Sequence, residues 1–308
     1  MTQTTQTHVD PPPHARIVFV TDQGMLRPTL FALWTVLQHF KGQADIHVWG
    51  DGLTAADWQA VAQVCKGYPD ITLHPLDLSP EDMAGAGAVG DYISAATMGR
   101  LIIPRKLSGR VLYLDGDVRV TADLSPLFAI DMQGHPVAAV RDYVVSSQLA
   151  KGVAPGHRNE ARLTELTRSM GQAAVSSYFN SGVLLMNVDA ISAAPALSQA
   201  MQDLERASMC TWGDQDHLNI VFSGRVCLLD PAYNASWTRT AKQRAFIEKL
   251  GPAPGELAPI PDAIIHFHGS RKPWKKARRD LWSRRARAVF AYRRAQARFV
   301  RAYPDLDF

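Results

Sequence analysis

Two aspartates separated by a single glycine stand directly after a short, mostly apolar segment. The segment covers residues 111–114, and the aspartates are Asp115 and Asp117. Such a segment predicts a buried strand, and side chains two residues apart on a strand point the same way, about 6.6 Å apart. Neighbouring carboxylates repel, and a hard divalent cation such as manganese or magnesium removes that repulsion. The pattern therefore predicts a metal that would grip a diphosphate.

The same spacing occurs twice more, as Asp-Gln-Asp at 214–216 and as Asp-Leu-Asp at 305–307. A turn or a solvated loop is therefore an alternative for any single copy. The first copy differs because it ends a hydrophobic strand, and α/β sheets bind ligands at the carboxyl ends of their strands. Gly116, between its two aspartates, would leave room for a ligand to approach the backbone.

Alternating strand and helix patterns lead up to this motif and predict an α/β fold. Strands are predicted at 16–20, 45–49 and 71–74, with helices at 28–40 and 54–65 between them. This β-α-β-α-β opening is typical of nucleotide-binding sheets. The sequence has no Gly-x-Gly-x-x-Gly and no Walker A motif, so a metal would hold the phosphates instead of a glycine loop.

The rest of the chain supplies further strands and two irregular stretches. Strands are predicted at 136–140, 179–186, 226–229 and 264–268, helices at 94–102 and from 212 onward, an acceptor loop at 146–175, and a loop or lid at 242–261. Asp142 follows one strand, and Asn180 lies inside another, where an amide needs partners from substrate or backbone. His266 and His268 share a face by alternation.

Several candidate residues have a structural alternative to a functional role. Asp22 could contact a nucleotide base or ribose, or begin the following turn. Arg100 and Lys272 could hold phosphate, or lie solvated at the surface. Asp214 could act in chemistry, or favour the positive end of a helix. Sequence spacing leaves each of these choices open.

Composition narrows the class of protein. A chain of 308 residues with 46% hydrophobic residues can bury a large core, as one large domain or two small ones. Cys65, Cys210 and Cys227 are widely spaced, which favours free thiols in a reducing compartment. Residues 1–14 are polar and proline-containing, and we expect a disordered segment and not a secretory signal. No stretch is long and apolar enough to span a bilayer.

The net charge of +4 is unevenly distributed. Residues 271–301 contain 13 basic residues and one acidic residue, so they carry +12 and the remainder of the chain −8. An acidic body argues against a nucleic-acid-binding protein. Within 281–303 an apolar stripe is surrounded by arginines, which is typical of a helix lying in an anionic membrane surface. A docked helix with a solvated basic face is the alternative.

Taken in order, five segments resemble glycosyltransferase family 8, especially its bacterial lipopolysaccharide and lipo-oligosaccharide glucosyl- and galactosyltransferases. They are Ile17-Val-Phe through Asp22, Arg100, Leu-Tyr-Leu-Asp115-Gly-Asp117, Tyr178-Phe-Asn-Ser-Gly-Val-Leu-Leu with Asp214-Gln-Asp-His-Leu-Asn219, and His266-Phe-His-Gly-Ser-Arg-Lys-Pro-Trp274. The resemblance covers roughly residues 16–274. It implies a GT-A fold, that is, a single Rossmann-like domain with a mixed central sheet over 15–274, followed by a basic helical tail over 275–308.

The resemblance also implies a retaining, metal-dependent hexosyltransferase that uses UDP-glucose or UDP-galactose and manganese, with magnesium as a substitute. By position, the metal ligands would be Asp115, Asp117 and His266; the donor contacts Asp22, Arg100, Asp115, Asn180 and Lys272; and the catalytic residues Gln215, Asp214 and Asp142. Gln215 matches the polar group that the family places beneath the anomeric carbon.

Three positions depart from the family pattern and leave the donor sugar open. Gln23-Gly24 replaces a more usual Asp-Asn, Tyr92 stands where close relatives have histidine, and Arg141 replaces a small or apolar residue before Asp142. The expected acceptor is a saccharide or glycolipid such as lipopolysaccharide. We expect a cytoplasmic protein attached to the inner face of the bacterial membrane through its tail, and no nucleic-acid partner.

Two other functional classes compete with this interpretation. The segment 114–120 also resembles the aspartyl-nucleophile motif of haloacid-dehalogenase-like phosphatases, but that motif normally lies on a first strand, and three strands precede it here. A non-catalytic membrane-surface protein is the third possibility. It gives no reason for Asp115, Asp117 and His266 to occur together.

Overall fold

The computed structural model describes residues 14–90, 94–153, 156–157, 159–275 and 284–306. The strands are β1 (Ala15–Asp22), β2 (Ala44–Asp51), β3 (Ile71–Asp77), β4 (Arg110–Leu114), β5 (Val118–Val120), β6 (Val137–Arg141), β7 (Phe179–Asn187), β8 (Val226–Leu228), β9 (Ala235–Ser236) and β10 (Ile264–His266). The helices are α1 (Leu26–His39), α2 (Ala55–Cys65), α3 (Ile103–Lys106), α4 (Ser125–Phe128), α5 (Tyr143–Lys151), α6 (Glu160–Met170), α7 (Gln172–Val175), α8 (Val188–Ser192), α9 (Pro195–Met201), α10 (Leu204–Ser208), α11 (Asp214–Val221), α12 (Thr240–Leu250) and α13 (Arg284–Ala302). Short 3-10 helices cover Ala95–Ile102 and Pro231–Asn234.

A seven-stranded mixed sheet forms the centre of the molecule. Its order is β3-β2-β1-β4-β7-β6-β8, and β7 runs antiparallel to both of its neighbours while the other pairs are parallel. A second sheet has the order β5-β10-β9. The β-α-β-α-β opening and the mixed central sheet that the sequence predicts are confirmed.

The strands are buried on both faces because each alternates its side chains between two cores. In β1, Ile17 and Phe19 belong to the core that also contains α1, whereas Val18 and Val20 belong to the core on the opposite face. Both cores are built from aliphatic and aromatic side chains. Burial on both faces explains why this strand is continuously apolar instead of alternating with polar residues.

Local sequence signals place the ends of several elements correctly. The Thr54 side chain accepts a hydrogen bond from Asp57 N, and the Asp57 side chain accepts one from Thr54 N, which makes a capping box at the start of α2.

The predicted loops are partly wrong. Helices α5, α6 and α7 occupy much of 146–175, and α12 occupies most of the first half of 242–261. Both segments contain enough buried apolar residues to pack as helices despite their polar composition.

The tail helix packs on the body instead of presenting its apolar stripe to solvent. Tyr292 and Phe299 are fully buried and pack edge-on against Phe31 of α1, with ring centroids 4.6 and 5.9 Å away. The Tyr303 hydroxyl donates to Val64 O at 3.1 Å. Much of the described part of the stripe expected to enter a membrane therefore packs on the body, although the neighbouring Phe290 stays exposed. The structure shows a docked helix with an exposed basic face. Residues 1–13 and 276–283 lie outside the described part of the chain.

Candidate active site

A cleft of about 630 Å³ opens where strands β4 and β10 end and β7 begins, and it collects most of the predicted site residues. Its lining includes Arg100, Asp115, Asp117, Asp142, Asn180, Asp214, Gln215, His266 and Lys272. These residues come from distant parts of the chain, and the two sheets together bring them to one place. Their grouping in one concave site is what a ligand-binding centre requires.

Asp115, Asp117 and His266 form a compact group on one side of the cleft. One ligand atom from each lies within 4.8 Å of the others. Antiparallel pairing of β10 with β5 places His266 opposite Val118, next to the aspartates. The Nε2 atom of His266 is 3.0 Å from Asp117 Oδ1 and 3.6 Å from Asp115 Oδ2. Two carboxylates and an imidazole are a suitable donor set for manganese or magnesium.

The orientation of His266 leaves one ring nitrogen available. Its Nδ1 lies 2.9 Å from Asn234 Oδ1, an acceptor that fixes the ring proton on Nδ1. Its Nε2 is buried and makes no hydrogen bond of good geometry with any described residue. A metal-ligating histidine commonly donates its other nitrogen in this way. The orphaned nitrogen facing two carboxylates shows that these residues fit a divalent metal.

Gly182 in β7 makes the room that this group needs. A Cβ on Gly182 would overlap His266 and would lie 2.5 Å from Asp115 Oδ2. Any larger residue would therefore displace one of the three donors. Gly116 has a second role besides the expected one, because a Cβ there would overlap the Thr29 side chain of α1. Its missing side chain allows helix packing, and Gly116 also lines the cleft.

Lys272 lies against the same group, paired with a carboxylate and not solvated at the surface. Its Nζ pairs with Asp117 Oδ2 and is 3.4 Å from Phe267 O. Burial raises the pKa of Asp117, but Lys272 and His266 outweigh burial and leave this pKa well below its usual range. Asp117 is therefore ionised at neutral pH, as a metal ligand must be.

Arg100 is buried, which excludes the surface role considered from the sequence. Its guanidinium bridges two carboxylates, with Nη2 2.9 Å from Asp115 and Nε 3.0 Å from Asp214. It also donates to Ser181 O at 2.7 Å. Burial raises the pKa of Asp214 to about 6, and Arg100 opposes this shift. In this structure Arg100 holds the two acids in place.

Gln215 and Asn180 belong to a hydrogen-bond network that lines another part of the same cleft and is joined to His266 through Asn234. Gln215 Oε1 accepts from Asn180 Nδ2 at 2.9 Å and from Ser181 N at 3.2 Å, and Gln215 Nε2 donates to the Tyr178 hydroxyl at 3.1 Å. Asn180 Oδ1 in turn accepts from Asn234 Nδ2 at 2.9 Å. Both lone pairs of the Gln215 carbonyl are used, so its position is rigidly defined.

Asp142 caps a helix and Asp22 stabilises a turn in this structure. Asp142 Oδ1 accepts from Val144 N and Val145 N at 2.8 and 3.0 Å, which begins α5. Asp22 accepts from Met25 N at 2.9 Å and from the Ser94 hydroxyl. The structural alternative for Asp22 is therefore present. Met25 and Ser94 line the cleft although Asp22 itself does not.

Sequence reasoning missed several residues that shape the site. Asn234 orients His266, and the Ser236 hydroxyl bonds His268 Nε2 at 2.5 Å. Trp237 lines the cleft and has a left-handed backbone (φ 51°), which is unusual for a bulky side chain. These residues lie in the short segment around β9, whose length gave no strand signal. Tyr92 lies outside the described residues.

Comparison with known proteins identifies the family. The model of "Glycosyl transferase family 8" matches residues 16–278. The chain belongs to glycosyltransferase family 8. This assignment replaces the phosphatase alternative. The crystal structure of galactosyltransferase LgtC in complex with donor and acceptor sugar analogs superposes with a TM-score of 0.67 and 26% identity, over 92% of this chain and 95% of that one. The family-8 chain has the GT-A fold.

Two curated relatives extend the comparison. The chain is 26% identical to glycosyltransferase GlyF of Streptococcus pneumoniae over 86% of its own length and 60% of that protein. It is 29% identical to the lipopolysaccharide 1,2-glucosyltransferase of Escherichia coli over 54% of its own length and 44% of that protein. The family-8 chain thus spans 60% or less of the length of these relatives.

Proposed function

We propose that this family-8 protein is a retaining hexosyltransferase that moves glucose or galactose from a UDP-sugar to a saccharide acceptor with the help of manganese. The observation that carries the proposal is the group Asp115, Asp117 and His266, with its orphaned nitrogen, beside Lys272. A diphosphate is the ligand that best matches a metal group and an ammonium side by side. The likeness to LgtC, whose structure holds donor and acceptor sugar analogs, supports the choice of substrate class.

Each residue of the metal group, and the neighbouring Lys272 and Arg100, has a definite task in this proposal. Asp115, Asp117 and His266 would hold the cation. The bound cation would neutralise charge on the departing diphosphate. Lys272 would release Asp117 and turn its ammonium towards a phosphate oxygen, since a lysine that already lies at the site needs only a side-chain rotation. Arg100 would hold the carboxylates of Asp115 and Asp214 in their positions.

The hexose would lie against the network formed by Asn180, Gln215 and Tyr178. Gln215 is an amide and therefore a poor nucleophile, so it would stabilise positive charge on the sugar through the dipole of its carbonyl group and would not attack. A second crystal structure of LgtC carries an active-site Gln-to-Glu replacement, which agrees with a central glutamine. We favour departure and attack on the same face of the sugar, with the leaving phosphate oxygen taking the proton of the acceptor.

Asp214 is the alternative nucleophile, for a double displacement through a covalent sugar. Its carboxylate is 3% exposed and its Oδ2 is 3.0 Å from Arg100, so an attack would first require it to leave that ion pair. This cost favours the same-face route. A covalent sugar trapped on wild-type protein and absent from Asp214→Ala would support the alternative.

One part of the cleft is aromatic and basic, and we propose that the acceptor binds there. Trp212 and Trp237 line it, with Arg162 stacked 4.3 Å from the Trp212 ring and Arg285 5.4 Å from the Trp237 ring. Flat aromatic faces suit the apolar faces of sugar rings. We propose a saccharide acceptor that is part of a lipopolysaccharide or another glycolipid. The likeness to the lipopolysaccharide 1,2-glucosyltransferase supports this class.

Donor hydrolysis tests the proposal without knowledge of the acceptor. UDP release is measured with manganese and, in turn, UDP-glucose, UDP-galactose and UDP-N-acetylglucosamine. We expect slow release from one hexose donor and a loss of about 1000-fold or more in Asp117→Ala, since several kcal/mol of leaving-group stabilisation disappears. Asp305→Ala, an exposed aspartate from another Asp-x-Asp segment, is the matched control and should keep full activity.

Either of two results would overturn the proposal. One is an absence of UDP release from all three donors together with no UDP binding by calorimetry. The other is equal manganese-dependent release by wild-type and Asp117→Ala proteins, which would place the metal elsewhere.

We further propose that the exposed basic face of α13 brings the protein to an anionic membrane surface on the cytoplasmic side. Arg287, Arg294 and Arg298 are exposed, as is Phe290, while Tyr292 and Phe299 are buried against the body. Attachment would then be electrostatic, about 1 kcal/mol for each near-surface cation and weakened by salt. Among the helices that the structure describes, none has the length and apolar content to cross a bilayer.

Flotation with phosphatidylglycerol vesicles tests the attachment. The protein with all three arginines changed to glutamine should float less than wild type, and equal flotation would contradict the proposal.

A further inference from the structure

A second group of metal-ligand side chains lies on the first strands of the central sheet. Asp45 and His47 are two residues apart on β2 and share one face, and His74 is the direct neighbour of His47 on β3. One ligand atom from each lies within 4.8 Å of the other two. None of the three is among the described residues that line the cleft. The group is therefore separate from the proposed active site.

Hydrogen bonds already hold most of this second group in place. Asp45 Oδ1 is 3.1 Å from His74 Nε2, and Asp45 Oδ2 is 2.9 Å from His14 Nε2. The rings of His47 and His74 stack with centroids 4.7 Å apart and planes 16° apart, so one ring would have to rotate before both could direct a nitrogen to the same ion. Arg16 is the nearby cation, with Nε 3.9 Å from Asp45 Oδ2, and its Nη1 donates to Ser108 O. Arg16 thus lies beside the Asp45 carboxylate, but its guanidinium also donates a hydrogen bond to Ser108 O.

His47 is the residue that points to a ligand. Its side chain is about nine-tenths buried, and its Nε2 has no hydrogen-bond partner among residues 14–90, 94–153, 156–157, 159–275 and 284–306. A buried polar atom without a partner is costly, and native structures rarely tolerate one without a reason. An ion bound between His47, His74 and Asp45 would supply the missing partner.

We propose that Asp45, His47 and His74 bind a divalent transition-metal ion of the zinc class, and that His14 holds the Asp45 carboxylate in place. Two imidazoles and one carboxylate favour zinc, cobalt or nickel over magnesium, in contrast to the more oxygen-rich active-site group. The ion would tie the edge strand β3 to β2. Its effect would be on the stability of this sheet edge and does not depend on the proposed transferase activity.

Zinc titration of tag-free protein tests the site, with a chromophoric chelator as competitor. The Asp117→Ala background removes the active-site group, so one zinc equivalent should remain. Adding His74→Ala should abolish that equivalent, and adding His14→Ala should weaken binding about threefold. Adding His39→Ala, a histidine outside both groups, is the matched control and should change nothing. Zinc should raise the melting temperature of the Asp117→Ala protein but not of the version that also lacks His74.

Cobalt gives an independent readout through its visible absorption bands. Bands that appear on the Asp117→Ala protein and vanish on addition of His74→Ala would support direct ligation. The proposal is overturned if the Asp117→Ala protein binds no zinc, or if His74→Ala leaves zinc binding unchanged. Should Asp117→Ala fail to fold, wild-type and His74→Ala proteins are compared instead, and the expected difference is one zinc equivalent.

Discussion

The two sides of the cleft differ in how completely their polar groups are satisfied. We call Asp115, Asp117, His266 and Lys272 the metal side, and Asp142, Tyr178, Asn180 and Gln215 the network side. On the metal side, charges crowd together, and within the described part of the chain His266 Nε2 makes no hydrogen bond of good geometry although it lies 3.0 Å from Asp117 Oδ1. On the network side, the Gln215 and Asn180 carbonyl oxygens accept hydrogen bonds from protein donors. The metal side therefore has a polar atom left for a ligand to bind, whereas the carbonyl oxygens of the network side already have partners in the protein.

This difference separates two kinds of residue that the sequence presents alike. Residues of the metal side would gain their best partner only when ligand binds, so their replacement should affect ligand affinity directly. Residues of the network side are already anchored to one another, so their replacement should act by loosening a preformed surface. Variants on each side therefore test whether the two sets of residues behave differently.

The largest effect is expected from Gly182→Ala, which alters the metal side without removing a polar group. The new methyl group would overlap His266 and press on Asp115. We expect manganese affinity, measured by calorimetry with UDP present, to fall at least 100-fold. Gly87→Ala is the matched control, because its Cβ would lie 3.5 Å from Ser208, an ordinary contact. Unchanged manganese affinity in Gly182→Ala would mean that the ion is bound elsewhere.

Gln215→Ala should cost less, about 10- to 100-fold in kcat for UDP release, with manganese affinity unchanged. The variant loses one member of the network and leaves Asn180 Nδ2 and Ser181 N without this acceptor. Steady-state kinetics with the best donor would measure the effect. A variant that keeps most of its activity would remove Gln215 from its central role. A loss of manganese binding would show that the two sides are not independent.

The pH dependence of stability should report on His268, which lines the cleft and bonds Ser236. Burial, followed by His266, lowers the pKa of His268 from 6.5 to about 4. A depressed folded-state pKa means that the contribution is present above pH 6.5 and is lost as pH falls towards 4. We expect the His268 contribution of wild-type protein in EDTA to fall by up to about 3 kcal/mol over this range. His268→Gln should show a shallower decline in chemical denaturation, and identical slopes would contradict the assignment.

The smallest effect is expected from Asp142→Ala on the network side. Its carboxylate caps α5 through Val144 N and Val145 N, so the substitution should lower the free energy of unfolding by about 1 kcal/mol. Manganese affinity should be unaffected, and Asp142→Asn should restore most of the stability because asparagine is also a good cap. A large loss of kcat in Asp142→Asn at normal stability would instead show that the carboxylate contacts the sugar.

Much of the central fold could be predicted from sequence because its signals are local. Apolar runs gave the strands of the opening, and Thr54 with Asp57 marked the start of α2. The family resemblance, confirmed by the match over 16–278, supplied the fold and the expected site. The segments 146–175 and 242–261 were misjudged because their helices are stabilised by a minority of buried side chains that a polar composition conceals.

From the sequence alone it follows that Asp115 and Asp117 come directly after a buried strand, because the apolar run ends at Leu114. Their side-chain directions did not follow, because residues 115–117 leave the strand and form a turn, where strand alternation no longer applies. Strand pairing brought His266 to Asp117, and the missing side chain of Gly182 made space beside His266 and Asp115. Docking of α13 on α1 likewise buried a stripe that resembled a membrane-binding face. These contacts join residues far apart in the chain, and no local pattern encodes which surfaces will meet.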